Sequence, residues 1–168
     1  MTTKEMFIFD IETDGLLDTM TTIHCAVAKN WKTKEVHTFG PDNIKDFVNL
    51  IDGQVVIGHN IIGFDLPALD MWLDWMDLKP IEPAMEIDTL VLSRLLNPDR
   101  KPPEGVPHRV SPNSLEAWGY RVGLYKGEYG KQEQAFDNYN EAMLSYCVRD
   151  VEVTERVYQA LLKEMQET

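Results

Sequence analysis

The chain has 168 residues, 43% of them hydrophobic, which is the size of one ordinary domain with a real core and excludes a disordered polymer. No run approaches the roughly 18 apolar residues of a membrane span, and the polar start Met1-Thr2-Thr3-Lys4-Glu5 is not a signal peptide, so a cytoplasmic protein without a membrane partner is expected. The net charge of −12 argues against a nucleic-acid partner, but from Arg94 to Lys131 seven Lys or Arg face four acids, so that window carries +3 and the remainder −15.

In chain order, Met6 to Gly15 reads as a strand that stops at a Thr-Asp-Gly turn. Thr22 to Trp31 and Glu35 to Phe39 read as a second and third strand, joined by tight turns as an antiparallel meander. Pro41 and Asp42 open a short helix over Ile44 to Ile51. Gln54 to Gly58 is continuously apolar, the mark of a strand buried on both faces. A glycine-bearing turn at Ile61-Ile62-Gly63 follows, and a helix begins at Phe64-Asp65-Leu66-Pro67. Met85 to Asp88 is extended, and Thr89 to Leu96 is helical. Asn97 to Asn113 holds five prolines and several basic residues and reads as a long, exposed, mobile loop. A helix restarts at Ser114 and ends near Gly119/Gly123. The longest helical pattern, Tyr139 to Met165, repeats Met143, Tyr146, Cys147, Asp150, Val153, Val157, Leu161 and Met165 at three-and-four spacing. Strands first, then alternating strand and helix, predict a mixed-sheet α/β layer fold in a single domain, 1–168.

The chemistry-bearing positions lie in three of these segments. On the first strand, side-chain alternation puts Asp10 and Glu12 on one face and Phe7, Phe9 and Ile11 on the other. Two like charges side by side need an offset, and a divalent metal is the usual one; two solvated acids at a strand end are the plain alternative. Asp65 falls at a helix N-terminus, where capping competes with a functional role. Asn60, at a strand's end, is equally compatible with a turn. Tyr146 and Asp150 share a helix face that is otherwise apolar, so the acid needs a metal or a partner such as Arg149 or a nearby Lys. Cys25 and Cys147 lack metal-ligand spacing and read as reduced thiols. His24, His37, His59 and His108 show no metal-pair spacing and default to strand or surface positions, with His59 a supporting neighbour of Asn60. Trp72/Trp75 and Trp118/Tyr120 read as packing residues.

Taken together, Asp10-x-Glu12, Asn60-x₃-Phe64-Asp65 and Tyr146-x₃-Asp150 resemble the three motifs of the DEDD superfamily of DnaQ-like 3′–5′ exonucleases, in its tyrosine-bearing branch. Ile87-Asp88-Thr89-Leu90-Val91-Leu92-Ser93-Arg94, Ser114 to Arg121 and Lys126-Gly127-Glu128-Tyr129 are similar to the exonuclease domain of bacteriophage family A DNA polymerases. The resemblance runs from Phe7 to about Leu162 and implies a ribonuclease H-like fold. It further implies that Asp10, Glu12, Asp65 and Asp150 hold two Mg²⁺ or Mn²⁺ ions, with Asp10 shared between them. Tyr146 would orient the attacking water rather than act as the base, since its ordinary pKa is about 10. Thr13, Asp14, Gly15 and Leu16 would receive the 3′-terminal nucleotide, with Asn60 and Phe64 beside it, while Leu17 belongs to the core. Asp88 reads as a supporting acid or helix cap rather than a metal ligand. The histidine-bearing branch of the superfamily does not fit, because no His stands near Asp150 in the third motif.

The expected activity is release of nucleoside 5′-monophosphates from single-stranded DNA or frayed 3′ ends, with Arg100, Lys101 and Arg109 of the basic window guiding the strand. Two rivals keep part of this reading: a 3′–5′ exonuclease acting on RNA or short oligonucleotides, and a non-catalytic nucleic-acid-binding or polymerase-accessory module. A separate polymerase or replication protein is the expected protein partner. The chain stops where the polymerases continue, so it reads as a free-standing exonuclease or a piece cut from a longer protein, with no polymerase domain.

Overall fold

A computed structural model describes residues 3–167; Met1 and Thr2 of the polar start, and Thr168, lie outside the described residues. Five strands form one mixed sheet in the order β3-β2-β1-β4-β5, with β1 Met6–Thr13, β2 Ile23–Asn30, β3 Val36–Phe39, β4 Val55–Gly58 and β5 Met85–Asp88. The β1–β2 and β2–β3 pairs are antiparallel and the β1–β4 and β4–β5 pairs parallel, so the meander feeds two crossover strands. Helices α1 (Ile44–Ile51), α2 (Leu66–Trp75), α3 (Thr89–Leu96), α4 (Leu115–Val122) and α5 (Glu141–Glu167) cover it. No helix among the described residues is long and apolar enough to cross a membrane.

The alternation of β1 sets the layers. Phe7, Phe9 and Ile11 pack with Phe47, Ile51 and Leu69 of α1 and α2 on one face. Ile8 points the other way, into a second cluster with Cys25, Val27, Ile57 and the Met143, Cys147 and Val151 stripe of α5. By the period of two, Asp10 and Glu12 share the α5 side. A third cluster joins Trp118 of α4 to Val153, Val157 and Leu161 of α5, so α5 is buried along two adjacent stripes. Met165, expected to close the apolar row, is 44% exposed because the helix has run past the sheet there.

Local chemistry explains the boundaries. The long helix starts two residues later than the periodicity suggests, because Asn140 Oδ1 accepts the Met143 N–H at 2.8 Å and caps the first turn. Helix α1 keeps its predicted span, but Asn43 rather than Asp42 precedes it. Gly123 ends α4 in the left-handed region at φ +71, where a side chain would be strained. Trp75 is 45% exposed at the end of α2 and is not a packing residue, whereas Trp72 packs against the core.

The 97–113 segment is irregular, as its prolines require, and mostly exposed between 101 and 109, with both of its ends anchored. Asn113 bonds to Ser93 and His59, and Arg100 is clamped at 9% side-chain exposure between Ser93 O, Glu164 and the face of Trp118.

Candidate active site

Three elements deliver the acids to one place. Asp10 and Glu12 come from the end of β1, where the pairing with β2 shifts register between Glu12 and Thr13. That bulge leaves His24 out of the ladder and bends the strand beside the acids. Asp65 comes from a π-turn over Ile61–Asp65, in which the Leu66 N–H reaches back to Ile61 O. Such a widened turn re-aims the side chain that follows it. The capping alternative for Asp65 fails: it has helical dihedrals and makes no cap bond, and its Oδ2 accepts the Ile11 N–H at 3.3 Å. Asp150 and Tyr146 come from α5.

Asp88 holds the π-turn in place without joining the acids. Its carboxylate accepts from Asn60 N at 2.9 Å, Ile62 N at 3.0 Å and Leu90 N at 2.9 Å, so it caps α3 and pins the turn together. Asn60 is thereby held left-handed at φ 63, a conformation Asn tolerates. Its side chain is exposed beside the turn. His59 is braced from both sides: Nε2–H donates to Asn113 O at 2.9 Å and Nδ1 meets Thr89 Oγ1 at 2.7 Å. Burial drops its pKa to about 4, which keeps the ring neutral.

The electrostatics of the acid cluster are unfavourable as it stands. Burial raises the Asp10 pKa, against hydrogen bonds and Lys126 that lower it. Burial and then the Asp10 charge push Glu12 and Asp65 well above the usual carboxylate range. Burial and Asp10 push Asp150 up to about 8. Asp150 Oδ1 is buried with no hydrogen-bond partner among the described residues. Its other oxygen meets Lys126 Nζ at 3.9 Å, which identifies the lysine partner anticipated from the helix face; Arg149 turns away to Tyr125 O. Converging carboxylates with an orphaned buried oxygen are a donor set that fits hard divalent cations.

Two residues of the cluster are not among the predicted site residues. Cys147 Sγ lies 3.4 Å from Asp10 O and 3.5 Å from Asp10 Oδ2, and its ligand atom groups with those of Asp10 and Glu12 within 4.8 Å. Lys126 stands 5.5 Å from the Tyr146 ring centroid. Burial, then Asp150, raise the Tyr146 pKa to about 12, so the phenol stays protonated. Gly127 and Gly130 let the preceding loop lie flat on that ring: a Cβ would come 3.1 Å from Tyr146 Cδ2 or 3.0 Å from its Oη.

The predicted substrate residues divide. Thr13, Asp14, Gly15, Leu16 and Phe64 line one shallow cavity of about 320 Å³ with Glu12, and Leu16 is 71% exposed there. Phe136 completes it, a residue the spacing gave no reason to pick. Within this group Asp14 is already engaged, accepting Thr21 N at 2.7 Å and Thr22 N at 3.1 Å, so it braces the loop. Leu17 packs against the core, as read. Arg109 lines a second cavity beside Tyr146. Arg100 does not join it, because its guanidinium is held by Glu164 and Trp118. Lys101 is exposed, and its carbonyl anchors Arg121.

Comparison with known proteins agrees with this geometry. The chain is 32% identical over 188 aligned residues to the DNA-directed DNA polymerase of Escherichia phage T7 and 31% identical to that of Enterobacteria phage T3. Each alignment covers 95% of this chain but 27% of the polymerase, so the chain spans about a quarter of the length of these curated relatives. The matched part is the exonuclease region. Among solved structures, Brucella melitensis NrnC with bound Mg²⁺ superposes with a TM-score of 0.66 at 15% identity, over 98% of this chain and 75% of that one. The chain is homologous to a part of these phage DNA polymerases and shares its fold with the solved structures it superposes on. No family model matches it. The fold is ribonuclease H-like, and in it the central strand β1 packs against the last helix, α5.

Proposed function

We propose that the chain is a metal-dependent 3′–5′ exonuclease that removes nucleoside 5′-monophosphates from single-stranded DNA or frayed 3′ ends. One observation carries the reading: four acids from three separate elements, Asp65 and Asp150 buried and Asp10 and Glu12 half-buried, gather beside a protonated tyrosine, with one carboxylate oxygen left without a partner among the described residues. Asp10, Glu12, Asp65 and Asp150 would hold two Mg²⁺ or Mn²⁺ ions, which when bound activate water and offset charge on the leaving 3′ oxygen. Tyr146 keeps its proton and orients the attacking water by hydrogen bonding. The Ile11 N–H donates to Asp65 Oδ2 and the Cys147 thiol to Asp10 Oδ2, which orients both carboxylates before binding. The Thr13–Leu16 loop, braced by Asp14, together with Phe64 and Phe136, forms an apolar seat beside Glu12 for the 3′-terminal nucleoside.

The test is degradation of a 5′-labelled oligodeoxynucleotide in Mg²⁺, beside Asp10→Ala. A ladder of shortened products absent from the variant supports the reading, and an intact oligonucleotide with either metal rejects it. Matched DNA and RNA strands in the same assay decide how a 2′-hydroxyl is treated. Recruitment to a separate polymerase is part of the proposal by kinship with the phage polymerases, and co-sedimentation with a polymerase lacking its own exonuclease checks it.

A further inference from the structure

The sheet ends on β5, which pairs with β4 on one side and, among the described residues, with no strand on the other. An outer strand keeps a row of N–H and C=O groups that a further strand can take up. Here the edge is also apolar. Met85 on the strand is 57% exposed, and Ile62 and Val91 beside it are exposed as well.

A groove runs along each face of this edge. On the α5 side a space of about 270 Å³ is lined by Ile87, Val91, Leu92 and Tyr158, and Asp88 at its end is already committed to three backbone N–H groups. On the α2 side a wider space of about 570 Å³ sets the carboxylates of Asp70, Asp74 and Glu86 beside Leu66 and Met71. Ile62 and Glu86 line both, so the two grooves meet at the strand. Asp70 accepts the Ile81 N–H at 3.0 Å, whereas Asp74 and Glu86 are exposed and have no ion-pair partner among the described residues. No Lys or Arg lines either groove among those residues.

Successive side chains of a strand point to opposite faces. A strand laid along β5 therefore sends alternate residues into an apolar groove and into an acid-rimmed one. The occupant that satisfies both is apolar at every second position and carries Lys or Arg between, so that charge complementarity sets its register.

We propose that the outer edge of β5 is a docking site for an extended segment of another protein that alternates apolar and basic side chains and joins the sheet as a sixth strand. Its main chain takes up the open row of β5, its apolar residues enter the groove beside Val91 and Leu92, and its cations meet Asp74 and Glu86. None of Asp10, Glu12, Asp65 and Asp150 takes part, so this assignment stands or falls separately from the exonuclease reading.

The probe is a fluorescein-labelled peptide of alternating valine and lysine, five residues between two glycines, titrated with the full chain by anisotropy. One control peptide has the valines and lysines in separate blocks, a second has glutamate for lysine, and a third is N-methylated on alternate amides so that it cannot complete a ladder. The alternating peptide is expected to bind at least about tenfold more tightly than each control, and Asp74→Lys with Glu86→Lys should weaken it by a similar factor. The milder Glu86→Gln should weaken it by about threefold and melt like the wild type. Amide exchange should slow in β5 when the peptide is added and stay unchanged in β3, the other outer strand. No binding by the wild type, equal binding of the block or N-methylated peptide, or protection of β3 in place of β5 overturns the site. A dimer of the chain alone in sedimentation, dissolved by the charge reversal, would give the edge to a second copy and overturn it as well.

Discussion

Asp150 and Glu155 lie little more than one turn apart on α5 and are almost equally buried, at 5% and 8% exposure, yet their surroundings are opposite. Glu155 accepts from Lys29 Nζ at 2.7 Å and Lys34 Nζ at 2.9 Å. Burial alone would raise its pKa, but the two ammonium hydrogen bonds overcome that and lower it. Asp150 faces other acids, has only a distant lysine at 3.9 Å, and is pushed up to about 8. One acid is neutralised by the protein itself and acts as a structural tie between α5 and β2. The other leaves an electrostatic debt that a bound cation would remove. A buried carboxylate is therefore a site only where its neighbours fail to neutralise it.

The comparison breaks most visibly in activity. Asp10→Ala or Asp150→Asn is expected to lower exonuclease turnover by about three orders of magnitude or more in a gel assay. In the same variants the metal-free protein should melt no lower than wild type, because a crowded charge has been removed. Glu155→Gln should reverse both outcomes, with turnover kept and stability lost. Tyr146→Phe leaves the acids intact and removes only the phenol proposed to orient water, so kcat should fall by about 10²-fold with little change in metal affinity by calorimetry.

Metal titration sharpens the contrast further. Mg²⁺ should raise the melting temperature of the wild type by mass action, and Asp10→Asn should abolish that increment, while Glu155→Gln keeps it. The smaller effects concern stability alone. Glu155→Gln should cost about 2 kcal/mol in denaturant unfolding, the order expected when one partner of a largely buried ion pair is removed. Because the folded-state pKa of Glu155 is depressed, its contribution is complete above the unfolded value. It is lost as pH falls through the folded value, which lies below the usual carboxylate range, so the two proteins should converge in stability only once Glu155 is protonated in the folded state. A gap that persists after Glu155 is protonated would mean that packing rather than charge holds this tie.

Much of the fold was legible because strand and helix periods are local. The alternation Phe7, Phe9, Ile11 against Asp10 and Glu12 decided which face of β1 is apolar, and the structure keeps that division. Helices α1 and α3 keep their predicted spans for the same reason. The long helix differed at its start because an Asn side chain, not the apolar row, chose the first turn.

The less legible residues are those whose role depends on a partner far along the chain. Arg100 looks like any basic loop residue until Glu164 and Trp118 are seen to hold it. Lys126, Cys147, His24 and Phe136 enter the site only because the β1–β2 bulge, α5 and the loop before it fold onto the same point. The same holds for Asp88, whose cap bond is local but whose hold on Asn60 and Ile62 spans the crossover from β4 to β5.

The sequence by itself determined the sheet's two-faced central strand, the helical stripe that carries Tyr146 and Asp150, and the likeness to a part of the phage polymerases. Only the tertiary structure decided which acids stay uncompensated, because a carboxylate's charge balance depends on what other segments bring within a few ångströms of it. The charge of Asp10 bears on both Asp65 and Asp150, and among the described residues the ammonium that pairs with Asp150 is that of Lys126, at 3.9 Å. Glu155, on the same helix as Asp150, instead meets two lysines.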